Sequence, residues 1–305
     1  MKIENQKIAI FYDWINQWGG AERVLLDLLK NFPRADLLTF YYHYQPWLPR
    51  NIKIITPPFH LKKYDLVIVT SSYFGYLIPA NIYYFHNINR YCYNTPLKFF
   101  DRMVLPKKRI YLCNSLNVQN KIRNHFGVNA SVVYPGIDVN KFVPIKKPNK
   151  KYFLVVARLV PYKKIDQAIT ACQNLKQQLI VVGTGRQEKY LKQIANPRYI
   201  KFAGKVSETQ LIKLYQNCRA LLYPQIEDFG LTALEAQACG RPVIARSAGG
   251  ALETITSQTG LFFDHDLTQA IQLFETKQFS SQKCRQNALR FSRESFLLNF
   301  KKHLL

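Results

Sequence analysis

The segment ALLYPQIEDFGLTALEAQACGRP, residues 220–242, contains the signals of a strand, a loop and a helix in succession. Residues 220–223 are apolar and predict a short buried strand. Residues 231–239 have helical spacing, and Gly240 with Pro242 predicts where that helix ends. We therefore expect one unit of a parallel α/β sheet here.

Two glutamates flank the start of this predicted helix, Glu227 in the loop and Glu235 inside the helix. Side chains on a helix lean toward its N-terminus, so Glu235 leans toward the loop that holds Glu227. The helix start itself offers unpaired N–H groups and a positive dipole end, which together suit an anion. The pattern predicts a diphosphate on the helix tip and carboxylates beside it that accept hydroxyl protons from a sugar or ribose. The tip consists of Phe229, Gly230, Leu231 and Thr232. The alternative is that acids begin this helix only because they suit its dipole.

Strand and helix signals alternate along the rest of the chain, which predicts parallel sheets covered on both faces. Helices are predicted over residues 21–32, 116–126, 211–218, 231–239 and 286–305. Strands are predicted over residues 7–13, 37–42, 66–70, 82–85, 110–113, 131–134, 152–157, 178–182, 200–202, 220–223, 243–246 and 261–263. The uncharged stretch between Asp65 and His86 contains Thr, Ser, Gly and Pro, and we interpret it as two strands joined by a turn rather than as a membrane span. Residues 144–151 are polar, basic and proline-containing, and predict a linker.

The 220–242 segment resembles the E-x7-E signature of the retaining glycosyltransferases of family 4, which have the two-domain GT-B fold. Other segments resemble the same family, in order along nearly the whole chain. These are residues 19–24, 86–91, 114–115, 134–138 and 158–164. The resemblance implies an α/β protein with two Rossmann-like, doubly wound parallel-sheet domains facing across a cleft. Residues 1–145 would form the acceptor-side domain and 146–285 the nucleotide-sugar domain, with a helix over 286–305 that returns to the first.

The predicted donor site combines two cations with the glutamates. Arg158 and Lys163 follow the predicted strand 152–157, and both side chains can hold phosphate. The resemblance implies that they bind the donor diphosphate, that Glu227 holds sugar hydroxyls and that Glu235 holds the ribose. Lys164 is the alternative to Lys163. These residues would replace a metal ion in stabilising the departing diphosphate.

Further site residues follow strands or glycine turns. Gly20 and Gly183 permit close approach of backbone to a phosphate or sugar. The resemblance implies that His86 contacts the transferred sugar. Acceptor contacts are predicted for Asp13, Arg90 and Tyr91. The predicted catalytic set is therefore Glu227, His86, Arg158 and Lys163.

No metal or cofactor is predicted. The six cysteines are scattered without metal-ligand spacing, and a reducing compartment is expected. Asp264-His265-Asp266 matches the D-x-D pattern of metal-using transferases, but we interpret it as a surface turn that caps the next helix. A nucleotide-diphosphate sugar is expected as the donor substrate.

The formal net charge is +24 and is spread over the chain, because residues 1–145 contain 18 Lys and Arg against 8 Asp and Glu, and residues 146–305 contain 25 against 11. Such a charge suits phosphorylated substrates and an anionic membrane surface. We expect a cytoplasmic enzyme, peripheral on the membrane face, that acts on a glycan or polyprenyl-linked acceptor. The open alternatives are a sugar-nucleotide epimerase on the same fold and a basic nucleic-acid-binding module. Nucleic acid is not an expected partner, because the aromatic-basic motifs of known RNA modules are missing.

Overall fold

The computed structural model describes residues 6–16, 18–71, 74–88, 97–106 and 108–304. The chain divides into two compact units, the first formed by Met1–Gly136 with Arg293–Leu305 and the second by Ile137–Ser292. Among the described residues each unit contains a parallel sheet with helices packed against it. The predicted fold class, two parallel α/β units, is confirmed.

The strands are β1 (Ile8–Phe11), β2 (Trp14–Ile15), β3 (Asp36–Leu38), β4 (Tyr41–Tyr42), β5 (Ile54–Ile55), β6 (Leu66–Ser71), β7 (Ile82–Phe85), β8 (Ile110–Cys113), β9 (Ser131–Val132), β10 (Tyr152–Val156), β11 (Leu179–Val182), β12 (Ile200–Gly204), β13 (Cys218–Tyr223), β14 (Val243–Arg246) and β15 (Gly260–Phe263). The helices are α1 (Gly20–Asn31), α2 (Leu97–Val104), α3 (Leu116–Phe126), α4 (Ile165–Asn174), α5 (Glu188–Ile194), α6 (Glu208–Asn217), α7 (Leu231–Ala238), α8 (Ala251–Thr254), α9 (Leu267–Glu275), α10 (Ser281–Leu289) and α11 (Arg293–Lys301).

The sheet of the first unit has the order β5-β3-β1-β6-β7-β8-β9 in the part of the chain that the structure describes. All its strands are parallel. Strand β1 shows why both faces are covered, since Ile8 and Ile10 pack into one core while Ala9 and Phe11 pack into the other. A strand buried on both faces is continuously apolar, as β1 is.

Helix α11 is part of the first unit. Phe296 and Phe300 lie in the same core as α1, and Arg293 forms an ion pair with Asp27 of α1 at 3.0 Å. Burial of each ring contributes roughly 1.5–3 kcal/mol, so this contact holds the C-terminal helix firmly.

Two predicted elements are interrupted in the structure. The strand expected over 37–42 is broken, because Thr39 and Phe40 bond back to the Asp13 carbonyl and β4 then pairs with β2 outside the main sheet. The single helix expected over 286–305 is also wrong. Helix α10 ends at Leu289 and α11 begins at Arg293, and between them the Phe291 carbonyl accepts a hydrogen bond from Ile137 N–H.

The uncharged stretch before His86 forms β6, a 3₁₀ turn over Gly75–Leu77 and β7, as expected. Within the described residues, no helix combines the length and apolar character needed to cross a membrane.

The second unit contains a sheet with the order β12-β11-β10-β13-β14-β15, again parallel throughout the described residues. Helices α4 and α9 pack on one face. Helix α7 contacts β13, β14 and α10. A capping box precedes α6, with the Ser207 hydroxyl accepting from Gln210 N–H and the Gln210 side chain accepting from Ser207 N–H.

The unit boundaries differ from the expected positions 145 and 285 because residues 137–143 are bonded into the second unit. The Arg285 guanidinium donates to the carbonyls of Phe142 and Val139, and Gln216 donates to the carbonyl of Val143. The chain therefore enters the second unit before its proline-containing linker segment.

Candidate functional site

The predicted donor residues follow the C-terminal ends of neighbouring strands of the second unit. Arg158 and Lys163 come after β10, Gly183 after β11 and Glu227 after β13. Carboxyl ends of parallel strands meet at one edge of a sheet, which is where ligands bind in α/β proteins. This edge is the candidate donor site.

Lys163 and Glu227 are in direct contact. Lys163 ends a short 3₁₀ turn, Pro161–Lys163, and its side chain is 10% exposed where it pairs with Glu227 Oε1. The other carboxylate oxygen, Oε2, accepts a hydrogen bond from the Tyr223 hydroxyl at 2.6 Å. The neighbouring Lys164 is exposed, so the structure favours Lys163 as the residue that faces Glu227.

Burial makes the charge on Lys163 costly. It lowers the pKa of Lys163 to about 7, the positive charge of Arg158 acts in the same direction, and Asp228 opposes both. Arg158 itself is exposed and donates to the Tyr162 hydroxyl at 2.9 Å. The contact with Glu227 favours the protonated amine, so the two residues form an ion pair.

The N-terminus of α7 lies next to the Tyr223 hydroxyl that bonds Glu227. The helix begins at Leu231 after Gly230, whose φ is 102°. The first N–H groups of a helix have no partner within it, and of the first turn here Ala233 N–H donates to the Gly230 carbonyl at 3.1 Å. The Thr232 hydroxyl oxygen is buried and forms no hydrogen bond with any described residue. The tip therefore offers donors that suit an anion.

Phe229, predicted as part of this tip, is buried, and its ring packs edge-on against Phe291 at 5.8 Å between centroids. Its side chain anchors the loop, and only its backbone is suited to a ligand.

Glu235 is fully buried and accepts a hydrogen bond from the Tyr215 hydroxyl of α6 at 2.8 Å. A ribose hydroxyl would have to reach a carboxylate that is closed to solvent in this structure. The assignment of Glu235 to the ribose stays a prediction.

Gly183 supports the loop that carries Arg158. A Cβ at this glycine would collide with the carbonyl oxygen of Ala157, and the two loops are joined further by the bond from Leu159 N–H to the Thr184 carbonyl at 2.9 Å. The structure thus gives Gly183 a packing role, and its contact with nucleotide stays a prediction.

The predicted residues of the first unit also lie after strands or at a helix start. His86 follows β7, is buried, and bonds the Thr70 hydroxyl at 2.7 Å. Burial lowers its pKa to about 3, so it is neutral at pH 7. Asp13 is buried and accepts from Phe74 N–H at 2.9 Å. Gly20 is the first residue of α1. Arg90 and Tyr91 lie outside the described residues.

The described residues contain no group of three or more His, Cys, Asp or Glu side chains that could hold a metal ion. The Asp264-His265-Asp266 segment has the capping role expected from sequence, because the Asp266 carboxylate accepts from Thr268 N–H and Gln269 N–H at the start of α9.

Sequence reasoning missed the tyrosine hydroxyls. Tyr223 and Tyr215 each bond one of the paired glutamates, and Tyr162 bonds Arg158. The only available signal for Tyr223 is its place as the last residue of β13, four residues before Glu227.

The chain resembles curated transferases over part of its length. It is 32% identical over 154 residues to a GDP-mannose-dependent monoacylated alpha-(1-6)-phosphatidylinositol monomannoside mannosyltransferase of Corynebacterium glutamicum, covering 41% of this chain and 40% of that protein. It is 26% identical to the O-antigen chain mannosyltransferase RfbU of Salmonella typhimurium, covering 76% of this chain and 69% of the relative. The chain spans less than half the length of the first curated relatives it matches.

Solved structures extend the likeness of fold over the whole chain. Anabaena Alr3699/HepE, solved in complex with UDP, has a TM-score of 0.81 at 20% identity and covers 98% of this chain and 99% of its own. The two parallel-sheet units are those of the GT-B fold.

A family model described as "Glycosyl transferases group 1" matches residues 137–291. This range includes the whole candidate donor site, and it covers half of the chain. The protein therefore belongs to the glycosyl transferases group 1 family.

Proposed function

We propose that the protein is a metal-independent, retaining glycosyltransferase of family 4 that moves a hexose from a nucleotide-diphosphate sugar to a glycan or lipid-linked acceptor. The observation that carries this proposal is the contact of buried Lys163 with Glu227 beside the start of α7. This arrangement supplies a cation for the diphosphate and a carboxylate for the sugar at one sheet edge.

The leaving group decides the chemistry. When the bond between the sugar carbon C1 and the phosphate oxygen breaks, the nucleoside diphosphate gains negative charge. Lys163, Arg158 and the N–H groups of the α7 tip would stabilise that charge, as preorganised donors do in other enzymes. The acceptor oxygen then bonds to C1, and its proton passes to the departing phosphate oxygen. Attack on the same face retains the anomeric configuration.

Glu227 would orient the sugar. Its carboxylate is 24% exposed and accepts a hydrogen bond from the Tyr223 hydroxyl, which orients it to accept hydrogen bonds from sugar hydroxyls. We propose mannose as the hexose and GDP as the carrier, because the first curated relative is named as GDP-mannose-dependent. UDP is the second candidate, since the structural neighbour contains it.

The first unit would bind the acceptor. Asp13 follows β1 and would orient an acceptor hydroxyl, whereas neutral His86 follows β7 and would exchange hydrogen bonds with hydroxyls of the transferred sugar. We propose a cytoplasmic enzyme that meets its lipid-linked acceptor on an anionic membrane face.

The test is product analysis. The purified chain is incubated with GDP-mannose, UDP-glucose and UDP-galactose plus a polyprenyl-diphosphate-linked sugar, and products are read by mass spectrometry and NMR of the anomeric proton. We expect a new glycoside with the donor's anomeric configuration, and a fall of about 100-fold or more in rate for Glu227→Gln. Glu275→Gln is the matched control, because Glu275 pairs with Arg219 at the start of β13, away from the candidate site.

Two outcomes would contradict the proposal. A C2-inverted sugar nucleotide without a glycoside would identify an epimerase instead. An inverted anomeric centre would refute retention. The curated relatives are named as transferases, which does not favour the epimerase or the nucleic-acid-binding alternative.

A further inference from the structure

We infer that Lys163 serves two anions in turn, Glu227 in the ligand-free protein and the donor diphosphate in the complex, so that diphosphate binding releases Glu227 for the sugar. This inference rests on the proposed function and adds an order of events to it. The carboxylate becomes available to the sugar only when the phosphate end of the donor is already in place.

The ligand-free contacts occupy both oxygens of Glu227. Oε1 is paired with the Lys163 ammonium and Oε2 accepts from the Tyr223 hydroxyl. A carboxylate in contact with an ammonium is a weaker acceptor for a sugar hydroxyl, because its charge is already neutralised. Glu227 must therefore lose Lys163 to act fully on the sugar.

A diphosphate is well placed to remove Lys163. The amine is buried, and both burial and the charge of Arg158 disfavour its protonated form, while Asp228 and the contact with Glu227 favour it. A group with two negative charges stabilises such an ammonium more than one carboxylate does. The flexible lysine side chain needs only a rotation about its own bonds to change partner.

Tyr223 keeps Glu227 in place during this exchange. Its ring is buried at the end of β13, and burial raises the pKa of its hydroxyl, which therefore stays protonated as a donor. Gly230 lies against the same hydroxyl, since a Cβ there would approach the Tyr223 oxygen to 2.8 Å. Tyr223 is thus a positioning residue, fixed independently of Lys163.

The exchange of partners predicts how the charge of Glu227 affects the affinity for a nucleoside diphosphate. In the wild type the diphosphate competes with Glu227 for Lys163, so removal of the Glu227 charge should tighten binding of a nucleoside diphosphate that lacks any sugar. Simple repulsion between Glu227 and the diphosphate would also tighten binding, but it does not depend on Lys163. A double-mutant cycle between the two positions separates these causes.

The experiment uses isothermal titration calorimetry with whichever of UDP, GDP and ADP binds the wild type most tightly. The variants are Glu227→Gln, Lys163→Met, the double variant and the control Glu275→Gln. We expect Glu227→Gln to tighten binding by about fivefold or more, and that gain to shrink to within about twofold in the Lys163→Met background. Lys163→Gln provides a second background if Lys163→Met does not fold.

A second measurement tests Tyr223. In Tyr223→Phe the affinity for the nucleoside diphosphate should stay within about twofold of the wild type, whereas the additional affinity contributed by the sugar of the intact donor should fall by about fivefold or more. A purely structural role would weaken both ligands together.

An equal gain from Glu227→Gln in both backgrounds, or no gain, would overturn the inference while leaving the proposed function intact. If no nucleoside diphosphate bound to the wild type or to any variant, the proposed function would fall with it.

Discussion

Lys163 shows how a single residue links burial to function. A lysine with little solvent exposure loses hydration, and its contact with Glu227 only partly replaces that hydration. An anionic ligand that contacts the Lys163 amine would offset the rest of the free energy lost with its hydration. Such a site favours a ligand that carries more negative charge than a single carboxylate, and a diphosphate does.

The titration of Lys163 should make binding of a nucleoside diphosphate depend on pH. The pKa of Lys163 in the free protein is about 7, and a bound diphosphate raises it, so above pH 7 binding requires uptake of a proton. Affinity for the nucleoside diphosphate should fall as pH rises from about 7 to 9, by up to about tenfold per unit. Lys163→Arg should remove the slope, since arginine stays charged. Calorimetry across this pH range measures it, and equal slopes for wild type and Lys163→Arg would contradict the assignment.

His86 gives a second residue-scale prediction, on stability. Burial lowers its pKa from 6.5 to about 3, so between these values the unfolded chain binds more protons than the folded one. Unfolding free energy should therefore drop as pH falls below 6.5, by about 1.4 kcal/mol per unit for this residue. Denaturant titrations of wild type, His86→Gln and the control His60→Gln, an exposed histidine of the same unit, would show it. If His86→Gln kept the full acid sensitivity of the wild type, the explanation would be wrong.

At the scale of elements, the donor site depends on two loops that touch. The turn before α8 packs against the loop before α7, and Gly250 N–H donates to the Glu227 carbonyl at 2.9 Å. A Cβ at Gly250 would collide with the backbone of Asp228 and Phe229. The position of Glu227 is therefore set by a loop that follows β14 as well as by its own strand.

Gly250→Ala should displace that loop. We expect affinity for the nucleoside diphosphate to fall by about tenfold, with a stability loss of about 1–3 kcal/mol from overpacking. Gly127→Ala is the control, because that glycine of the first unit has a φ of 73° and a Cβ there would only reach ordinary contact with the Arg102 side chain at 4.0 Å, so it loses stability without touching the site. Calorimetry with thermal unfolding separates the effects, and unchanged affinity in Gly250→Ala would contradict this role of the turn.

The sequence predicts a helix or strand accurately where the residues within that element determine its bounds. Four predicted elements coincide with the observed ones, namely Ile82–Phe85, Ile110–Cys113, Leu116–Phe126 and Val243–Arg246. The expected strand 37–42 fails because its break depends on the Asp13 carbonyl, which is distant in sequence. The expected helix 286–305 fails because the chain leaves the second unit at Ser292.

The site is predictable to a similar extent. Spacing, strand ends and the family resemblance predict Glu227 and Lys163 as site residues, but their contact with each other and the hydrogen bond from Tyr223 depend on side-chain geometry that no sequence pattern encodes. Spacing also suggested that Glu235 would face the loop, whereas the structure buries it against Tyr215.

At the scale of the whole molecule, the net charge of +24 is the dominant feature. Large exposed aromatic side chains accompany it in the first unit, including Trp18, Tyr41 and Tyr44. Cationic surfaces with interfacial aromatics bind anionic bilayers, and the attraction weakens as salt screens it.

Liposome flotation tests this property. We expect the protein to float with vesicles that contain anionic lipid at low salt, and to be released at about 0.5 M salt, where the Debye length is only a few ångströms. Vesicles of neutral lipid are the control. Absence of binding to anionic vesicles at low salt, or equal binding to neutral ones, would remove the membrane surface from the proposed function.

The most direct test measures by calorimetry the binding of UDP, GDP and ADP to the purified protein, with and without excess EDTA. We expect that at least one of them binds, that EDTA changes its affinity by less than about twofold, and that Arg158→Gln weakens it by about tenfold. Lys201→Gln, an exposed lysine of the same unit, should leave it unchanged. If none of the three nucleotides binds, or if binding disappears with EDTA, a metal-independent diphosphate site at Lys163 and Arg158 is contradicted.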